Sequence, residues 1–304
     1  MHSIHSLMKL HFPGLVYFTV IFALCTTSIL RAEELHIPDG VTFTRDVEFS
    51  NPDNQHLQVN LAQPKGDGLF PAVVCIHGGG FRAGQRESYD KLCLTLAQRG
   101  YVAITVTYRL APKYQFPAAV HDCKTAVRWL RANAATYHVD PARIGVTGSS
   151  AGGHLAQFLG VTQGVKEFEG EGNLDQSSNV SCVVNFYGPS DFTKSYEKSV
   201  DAKEVLPLFF GGDLSTKRRE HIVGSPLYWV TPNAAPTLIA HGTLDDYVAY
   251  EQGVWMVDRL KSCAVEAMLL TIEDAHHGFK GAEMEKAEAA MFEFFDQHLK
   301  PAKQ

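Results

Sequence analysis

The sequence has no cluster of basic residues. Its 27 lysines and arginines are outnumbered by 33 acidic residues, which gives a formal net charge of −6. Proteins that bind the phosphate backbone of a nucleic acid or an anionic membrane surface carry a concentrated positive patch. Neither nucleic acid nor a membrane is therefore expected as a partner of the mature chain, and a neutral or weakly polar substrate is the expected ligand.

Metal-binding patterns are also missing. The chain has six cysteines but no Cys-x-x-Cys pair and no histidine spacing typical of zinc. No metal and no cofactor is expected. Most cysteines beyond the N-terminal segment lie in apolar strand or helix patterns, which favours buried free thiols over disulfides. These cysteines are Cys75, Cys93, Cys123, Cys182 and Cys263.

The chain has no internal repeat, no low-complexity tract and no linker. With 45% hydrophobic and 20% charged residues, it can bury a full core, which excludes a disordered or fibrous protein. We therefore expect residues 33–304 to form one α/β domain.

The N-terminal segment differs in composition from the rest of the chain. Lys9 precedes an apolar run from about Leu15 to Leu30, and Ala32 is the expected cleavage site. This is the pattern of a secretory signal peptide over residues 1–32, which predicts a secreted or periplasmic protein. A retained single-span anchor is the alternative, although the run is shorter than the roughly 20 residues that span a bilayer.

Hydrophobic periodicity predicts the order of strands and helices. Val41–Ser50 and His56–Gln63 alternate apolar and polar residues around a turn at 51–54, which indicates an antiparallel hairpin. From Ala72 onward, continuous apolar strands alternate with helical stretches, which predicts a mostly parallel sheet with helices on both faces. The predicted strands of this part are Ala72–Ile76, Val102–Thr107, Ile144–Val146, Val180–Phe186, Thr237–Ala240 and Ala267–Ile272.

One segment, about 190–232, interrupts this alternation. It is polar and aromatic and has no strand pattern, so we expect a small cap insertion. It also lacks a long apolar amphipathic helix, which indicates a fairly open site.

The sequence Gly148-Ser149-Ser150-Ala151-Gly152 lies between a predicted strand and a predicted helix. A Gly-x-Ser-x-Gly pattern in this context is typical of a nucleophile elbow, in which the central serine occupies a strained turn. Ser150 is therefore the candidate nucleophile. A glycine-rich helix cap without chemistry is the alternative for this motif alone.

A glycine-rich loop, His77-Gly78-Gly79-Gly80-Phe81, follows the strand Ala72–Ile76. Glycines let the backbone turn its N–H groups toward a substrate carbonyl oxygen. An oxyanion hole made by the N–H groups of Gly79, Gly80 and Ala151 is therefore expected. A purely structural glycine turn is the alternative.

A serine nucleophile needs a histidine as base and a carboxylate that orients the histidine. In α/β folds with a nucleophile elbow, the carboxylate follows the serine along the chain, and the histidine follows the carboxylate. Asp245 and Asp246 follow the strand Thr237–Ala240, and His276 and His277 follow the strand Ala267–Ile272. Residue chemistry alone leaves both choices open, because adjacent loop residues point in different directions.

Four motifs resemble those of esterases related to hormone-sensitive lipase. They are His77–Phe81, Tyr108–Pro112, Phe116-Pro117 ahead of Asp122, and Asp140–Leu155. Val139–Gly145 and Ser225–Val248 look like the BD-FAE type of carboxylesterase, which includes acetylxylan and feruloyl esterases. The resemblance covers about residues 45–300 and implies an α/β-hydrolase fold.

The resemblance also implies which acid and which base are catalytic. Its His-Gly-x-x-Asp pattern selects Asp245, and its histidine before Gly-Phe selects His277. Asp246 and Lys113 depart from the family, which commonly has proline and glutamate there. Arg109 and Asp122 are interpreted as a structural pair.

The function that follows is a serine carboxylesterase for short acyl esters, with acetyl or feruloyl groups on plant polysaccharide as candidate substrates. A peptidase or amidase of the same fold and a non-catalytic binding protein are the alternatives. Because no large propeller fits in this chain, the prolyl-oligopeptidase type of peptidase is disfavoured.

Overall fold

An antiparallel hairpin begins the sheet. The computed structural model describes residues 35–300, so the predicted signal segment 1–32 lies outside the described residues. β1 (Val41–Ser50) pairs with β2 (Leu57–Pro64), as the alternation predicts. The connection between them includes a short 3-10 turn at Pro52–Asn54.

Six further strands extend this hairpin into an eight-stranded sheet of order β1-β2-β4-β3-β5-β6-β7-β8. All neighbouring pairs from β4 onward along this order are parallel. Because central parallel strands are covered on both faces, four of these strands are almost entirely buried. The strands are β3 (Phe70–Ile76), β4 (Val102–Val106), β5 (Val139–Ser149), β6 (Cys182–Phe186), β7 (Thr237–Gly242) and β8 (Ala267–Ile272).

Several strand boundaries differ from the prediction by one or two residues, and β5 differs most. β5 begins at Val139 rather than Ile144, because Val139 pairs with Phe70 across an irregularity in the ladder. Asp140 is charged and Pro141 is disfavoured inside a strand, so hydrophobic periodicity does not mark this part of β5. β6 begins at Cys182 rather than Val180.

Seven α-helices connect and cover the strands within residues 35–300, and none of them is long and apolar enough to cross a membrane. Segment 190–232 contains two short helices and no strand, as its composition predicts. The helices are α1 (Asp90–Gln98), α2 (Ala118–Ala132), α3 (Ala151–Val161), α4 (Ala202–Phe210), α5 (Arg218–Val223), α6 (Glu251–Ser262) and α7 (Ala282–Leu299).

The cysteines of the described range are free thiols, and four of the five are buried, as the apolar patterns around them predict. They therefore fill the core as small apolar side chains.

A cluster of aromatic rings joins α3 to the segment 190–232. His154, in α3, packs against Phe81 and Phe192 with ring centroids 5.2 and 4.8 Å away. Phe81 stacks on Phe209 of α4 at 3.9 Å. The His154 Nε2 atom lies 2.7 Å from the carbonyl oxygen of Gly224. These contacts hold α3 and the segment 190–232 together.

Burial determines the protonation of His154. The side chain is fully buried, and its Nδ1 atom has no hydrogen-bond partner among the described residues. Burial lowers the pKa of His154 to about 4, although the hydrogen bond to Gly224 opposes this effect. Folded protein therefore contains neutral His154 at pH 7.

We expect His154 to make folding stability depend on pH. Below pH 6.5 the unfolded chain binds a proton at this residue that the folded chain does not bind, so stability falls between about pH 6.5 and pH 4. The loss amounts to roughly 2 kcal/mol by pH 5. Urea unfolding of wild type and His154→Gln at pH 7.5 and pH 5 measures it, and the variant should lose less stability.

His56→Gln, at an exposed position, is the matched control for removing a histidine. Equal loss of stability in wild type and His154→Gln would contradict the assignment of neutral His154.

Candidate active site

Ser150 lies in a tight turn between β5 and α3. Its φ of 54° and ψ of −121° place a non-glycine residue in the left-handed half of the backbone map. A Cβ atom on Gly148 would lie 2.4 Å from backbone atoms of Gly152, and one on Gly152 would lie 2.1 Å from the carbonyl oxygen of Ile76. Because the backbones cross this closely, both positions require glycine, and the turn projects the Ser150 side chain out of the sheet edge.

The glycine loop lies directly against this turn. A Cβ atom on Gly78 would lie 2.8 Å from the carbonyl oxygen of Ser149. Gly79 and Gly80 have φ values of 119° and 58°, which favour glycine. Within residues 35–300, no hydrogen bond is donated by the backbone N–H of Gly79, Gly80 or Ala151. These N–H groups remain free to bind an oxyanion.

His77 anchors the glycine loop. Its Nδ1 atom lies 2.8 Å from the carbonyl oxygen of Gly78, and its ring stacks on Tyr108 at 4.3 Å. The Tyr108 hydroxyl donates a hydrogen bond to the carbonyl oxygen of His77. These contacts fix the start of the glycine loop.

Three distant loops bring a hydroxyl, an imidazole and a carboxylate into one row. Ser150 Oγ lies 2.9 Å from His277 Nε2, and His277 Nδ1 lies 2.8 Å from Asp245 Oδ2. Asp245 follows β7 and His277 follows β8, so the loops at the carboxyl ends of adjacent parallel strands supply both groups. This geometry suits proton transfer from the serine to the imidazole.

The Asp245 carboxylate is held on both oxygens. Its Oδ1 atom accepts hydrogen bonds from the backbone N–H groups of Tyr247 and Val248, at 3.0 and 2.8 Å. Burial raises the pKa of Asp245, but hydrogen bonds from His241, His277 and the backbone outweigh this effect and lower the pKa to about 2. The group is therefore ionised at neutral pH.

Asp246 and His276, the sequence neighbours of Asp245 and His277, lie outside this row. Asp246 and His276 are both exposed, whereas Asp245 is buried and His277 is partly buried. The structure thus places in the row the pair that the resemblance selects and that residue chemistry alone left open.

A cavity of about 500 Å³ opens above Ser150. Tyr187 and Tyr247 flank His277, with ring centroids 4.7 and 5.2 Å from the imidazole. Residues of segment 190–232, including Val205 and Phe192, form an apolar part of the wall. Sequence reasoning did not find these side chains individually. Tyr187 directly follows β6 and Tyr247 lies two residues after Asp245, so their positions next to strand ends were the available signal.

Tyr89 contacts the turn that contains Ser150. The Tyr89 hydroxyl donates a hydrogen bond to Ser149 Oγ at 2.9 Å, and burial raises the pKa of Tyr89. No local sequence pattern marks Tyr89 as part of the site. Its contact fixes the residue immediately before Ser150.

Arg109 and Asp122 lie apart from the groups that line the cavity. Arg109 Nη2 lies 2.8 Å from Asp122 Oδ1, and the backbone N–H of Arg109 donates to Asp122 Oδ2 at the same distance. A second ion pair joins Arg109 to Asp53 in the turn of the hairpin. These contacts agree with the interpretation of a structural pair.

A family model for BD-FAE matches residues 57–260. The chain belongs to the BD-FAE family. The matched region contains Ser150, the glycine loop and Asp245, and it ends before His277. The match confirms the resemblance on which the sequence-based assignment to α/β-hydrolase esterases depended.

Relatives of this BD-FAE chain are named as ester hydrolases. Esterase LipC from Mycobacterium tuberculosis is 31% identical over 217 residues, which are 69% of this chain and 53% of LipC. The chain thus spans about half the length of LipC. An ethyl acetate hydrolase from Pseudomonas putida is 30% identical over 291 residues, which are 90% of this chain and 87% of that protein.

The fold is shared with solved esterase structures. A truncated carbohydrate esterase from gut microbiota superposes with a TM-score of 0.77 at 26% identity, over 86% of this chain and 97% of that chain. This similarity, together with the mostly parallel sheet, confirms the predicted α/β-hydrolase fold.

We expect Gly152→Ala to be far more damaging than Gly160→Ala, although both glycines lie in α3. A Cβ atom at 152 would meet the backbone oxygen of Ile76 at 2.1 Å, whereas one at 160 would meet a methyl group of Val183 at 2.5 Å, and a side chain can shift. Gly160→Ala should cost about 1–3 kcal/mol and Gly152→Ala clearly more. Urea unfolding measures both, and equal losses would contradict the close backbone crossing.

Proposed function

We propose that this BD-FAE chain hydrolyses carboxylic esters through Ser150, His277 and Asp245. The observation that carries the proposal is the hydrogen-bonded row of these three side chains beside a cavity bordered by free backbone N–H groups. The names of the relatives and of the structural neighbour support ester hydrolysis as the reaction.

In the first half of the reaction, His277 Nε2 takes the proton of Ser150 Oγ while the oxygen attacks the ester carbonyl carbon. The carbonyl oxygen becomes negatively charged and accepts hydrogen bonds from the N–H groups of Gly79, Gly80 and Ala151. His277 then gives its proton to the alcohol oxygen, whose bond to carbon breaks. An acyl group remains on Ser150.

In the second half, water replaces the alcohol. His277 takes a proton from water, the resulting hydroxide attacks the acyl carbon, and the proton returns to Ser150 Oγ as the acid leaves. Asp245 fixes the tautomer of His277 and stabilises the imidazolium in both halves. Because the carboxylate has its pKa lowered to about 2, it stays ionised throughout.

We further propose that the acyl group is short. α4 lies over the oxyanion loop, since a Cβ atom on Gly80 would lie 3.3 Å from Val205 Cγ1. The arm of the ester that lies against Val205 therefore has little room, and we assign this arm to the acyl group. This geometry favours acetyl over feruloyl. The ethyl acetate hydrolase among the relatives supports the assignment.

We propose a sugar as the alcohol part of the substrate. Tyr187, Tyr247, Ser199 and Asp201 give part of the cavity lining hydroxyl and carboxylate groups that can bind sugar hydroxyls. The carbohydrate esterase among the structural neighbours supports this choice. The signal pattern of residues 1–32 adds the proposal that the enzyme is exported, where it would meet polysaccharide esters.

Ser150→Ala should reduce hydrolysis of p-nitrophenyl acetate by at least about 10⁴-fold, because the acyl-enzyme cannot form. His277→Ala should lose a similar factor, and Asp245→Asn somewhat less. Matched controls are His276→Ala and Asp246→Asn, whose side chains are exposed beside the row. Both controls should retain activity close to wild type.

Undiminished turnover by Ser150→Ala would overturn the proposed function. Greater loss with His276→Ala than with His277→Ala would overturn the assignment of the base. Paired acetyl ester and acetanilide substrates distinguish an esterase from the amidase alternative, and the ester should be cleaved faster.

Val205→Ala should shift the acyl preference toward longer chains. Removing the two methyl groups beside Gly80 enlarges the cavity, and each methylene accommodated is worth about 1–3 kcal/mol in specificity. We expect the ratio of kcat/KM for hexanoate over acetate esters to rise at least tenfold. Leu208→Ala is the control, because Leu208 belongs to the same helix but is not among the residues that line the cavity. An unchanged ratio in Val205→Ala would contradict the acyl assignment.

A further inference from the structure

Besides the partly buried His277, a fully buried histidine lies close to Asp245. His241 lies near the end of β7 and is fully buried. Its Nε2 atom lies 2.8 Å from the carbonyl oxygen of Val248 and 3.5 Å from Asp245 Oδ2. His277 Nδ1 lies 2.8 Å from the same carboxylate oxygen. The proposed mechanism gives His241 no part, although it approaches the oxygen that supports the base.

The surroundings of His241 fix its tautomer. A carbonyl oxygen only accepts hydrogen bonds, so the contact with Val248 requires a proton on Nε2. On the other side of the ring, Nδ1 is buried and has no hydrogen-bond partner among the described residues. A Cβ atom on Gly253 would lie 2.9 Å from Nδ1, so the backbone of α6 packs against this nitrogen. A proton on Nδ1 would be buried without an acceptor, which is costly.

This tautomer links both ends of the acid loop. The Nε2–H group donates to the carbonyl oxygen of Val248 and points toward Asp245 Oδ2. The backbone N–H of Val248 in turn donates to Asp245 Oδ1. The carboxylate is thus fixed by donors on both oxygens, with Oδ2 oriented toward His277. An uncharged donor also adds no positive charge that would repel the imidazolium formed on His277.

We propose that His241 is a positioning residue for the proposed reaction: its uncharged imidazole donates the Nε2–H that holds the Asp245 loop and orients Oδ2 toward His277. His241 is not among the residues that line the cavity above Ser150, so in this proposal it exchanges no proton with the substrate. The inference rests on the proposed function, since it assigns a role relative to the catalytic acid.

Several titratable groups lie near His241 and His277. The Tyr250 ring packs edge-on against His241 at 5.9 Å, and Glu251 at the start of α6 is ion-paired with Lys198. On the side of the base, Tyr187 and Tyr247 pack against His277. None of these groups changes in the variants below, so their charges are common to all the proteins compared.

The test compares His241→Leu, which removes the donor, with His241→Gln, whose side-chain amide can supply an N–H near the position of Nε2. We expect His241→Leu to lower kcat on p-nitrophenyl acetate 10- to 100-fold with KM within twofold. The acid limb of the pH profile should move to lower pH, because a loosely held carboxylate stabilises the His277 imidazolium less. His241→Gln should recover most of kcat. In each variant, the concentration of active sites is measured by titration with a stoichiometric phosphorylating reagent.

A double-mutant cycle shows whether His241 acts through the acid. In the Asp245→Asn background, His241→Leu should change kcat less than twofold, because the group it positions is already altered. Wild-type kcat and an unshifted pH limb in His241→Leu would overturn the proposal, and so would equal losses in the Leu and Gln variants or full additivity in the cycle.

A measurement on the unaltered protein covers the case in which the variants fail to fold. Long-range nitrogen–proton NMR spectra of the wild type should show His241 protonated at Nε2 and unprotonated at Nδ1. A proton at Nδ1 would overturn the proposal. Ser150→Ala is assayed alongside, because activity in that variant rejects the proposed function itself, whereas the results above concern His241 alone.

Discussion

The close crossing of two backbones at the sheet edge is the constraint on which the site depends. Gly148 and Gly152 approach each other and the end of β3 so closely that neither position can carry a side chain. This crossing holds Ser150 in a strained conformation, directs its hydroxyl into the cavity and leaves the N–H of Ala151 beside it. Strain of this kind persists only where the surrounding structure determines it. Here the parallel strands on both sides of β5 supply that rigidity.

The Asp245 carboxylate is likewise held by contacts that are already formed in the structure. A buried carboxylate would ordinarily favour its neutral form, yet donors on both oxygens keep Asp245 ionised. Because these donors are already in place, the proposed reaction would need little rearrangement to stabilise a positive charge on His277. In the proposed arrangement, the Nε2–H group of His241 completes the set of donors.

Segment 190–232 both packs against the core and forms part of the cavity wall. Its aromatic side chains pack around His154 of α3, while Val205 on the same helix as Phe209 borders the cavity. The residues that attach this segment to the core thus also determine where α4 lies over the oxyanion loop. A change of packing in this cluster would alter the space in the cavity beside Val205.

The sequence by itself determined the order of strands and helices, the elbow around Ser150 and the glycine loop, because periodicity and backbone conformation are local properties. The resemblance to a family then selected Asp245 and His277 between adjacent candidates. Only the tertiary structure decided which side chains surround these groups. Tyr89 and Val205 reach the site from positions about 60 and 55 residues from Ser150, and no local pattern encodes such contacts, because they depend on how remote elements pack.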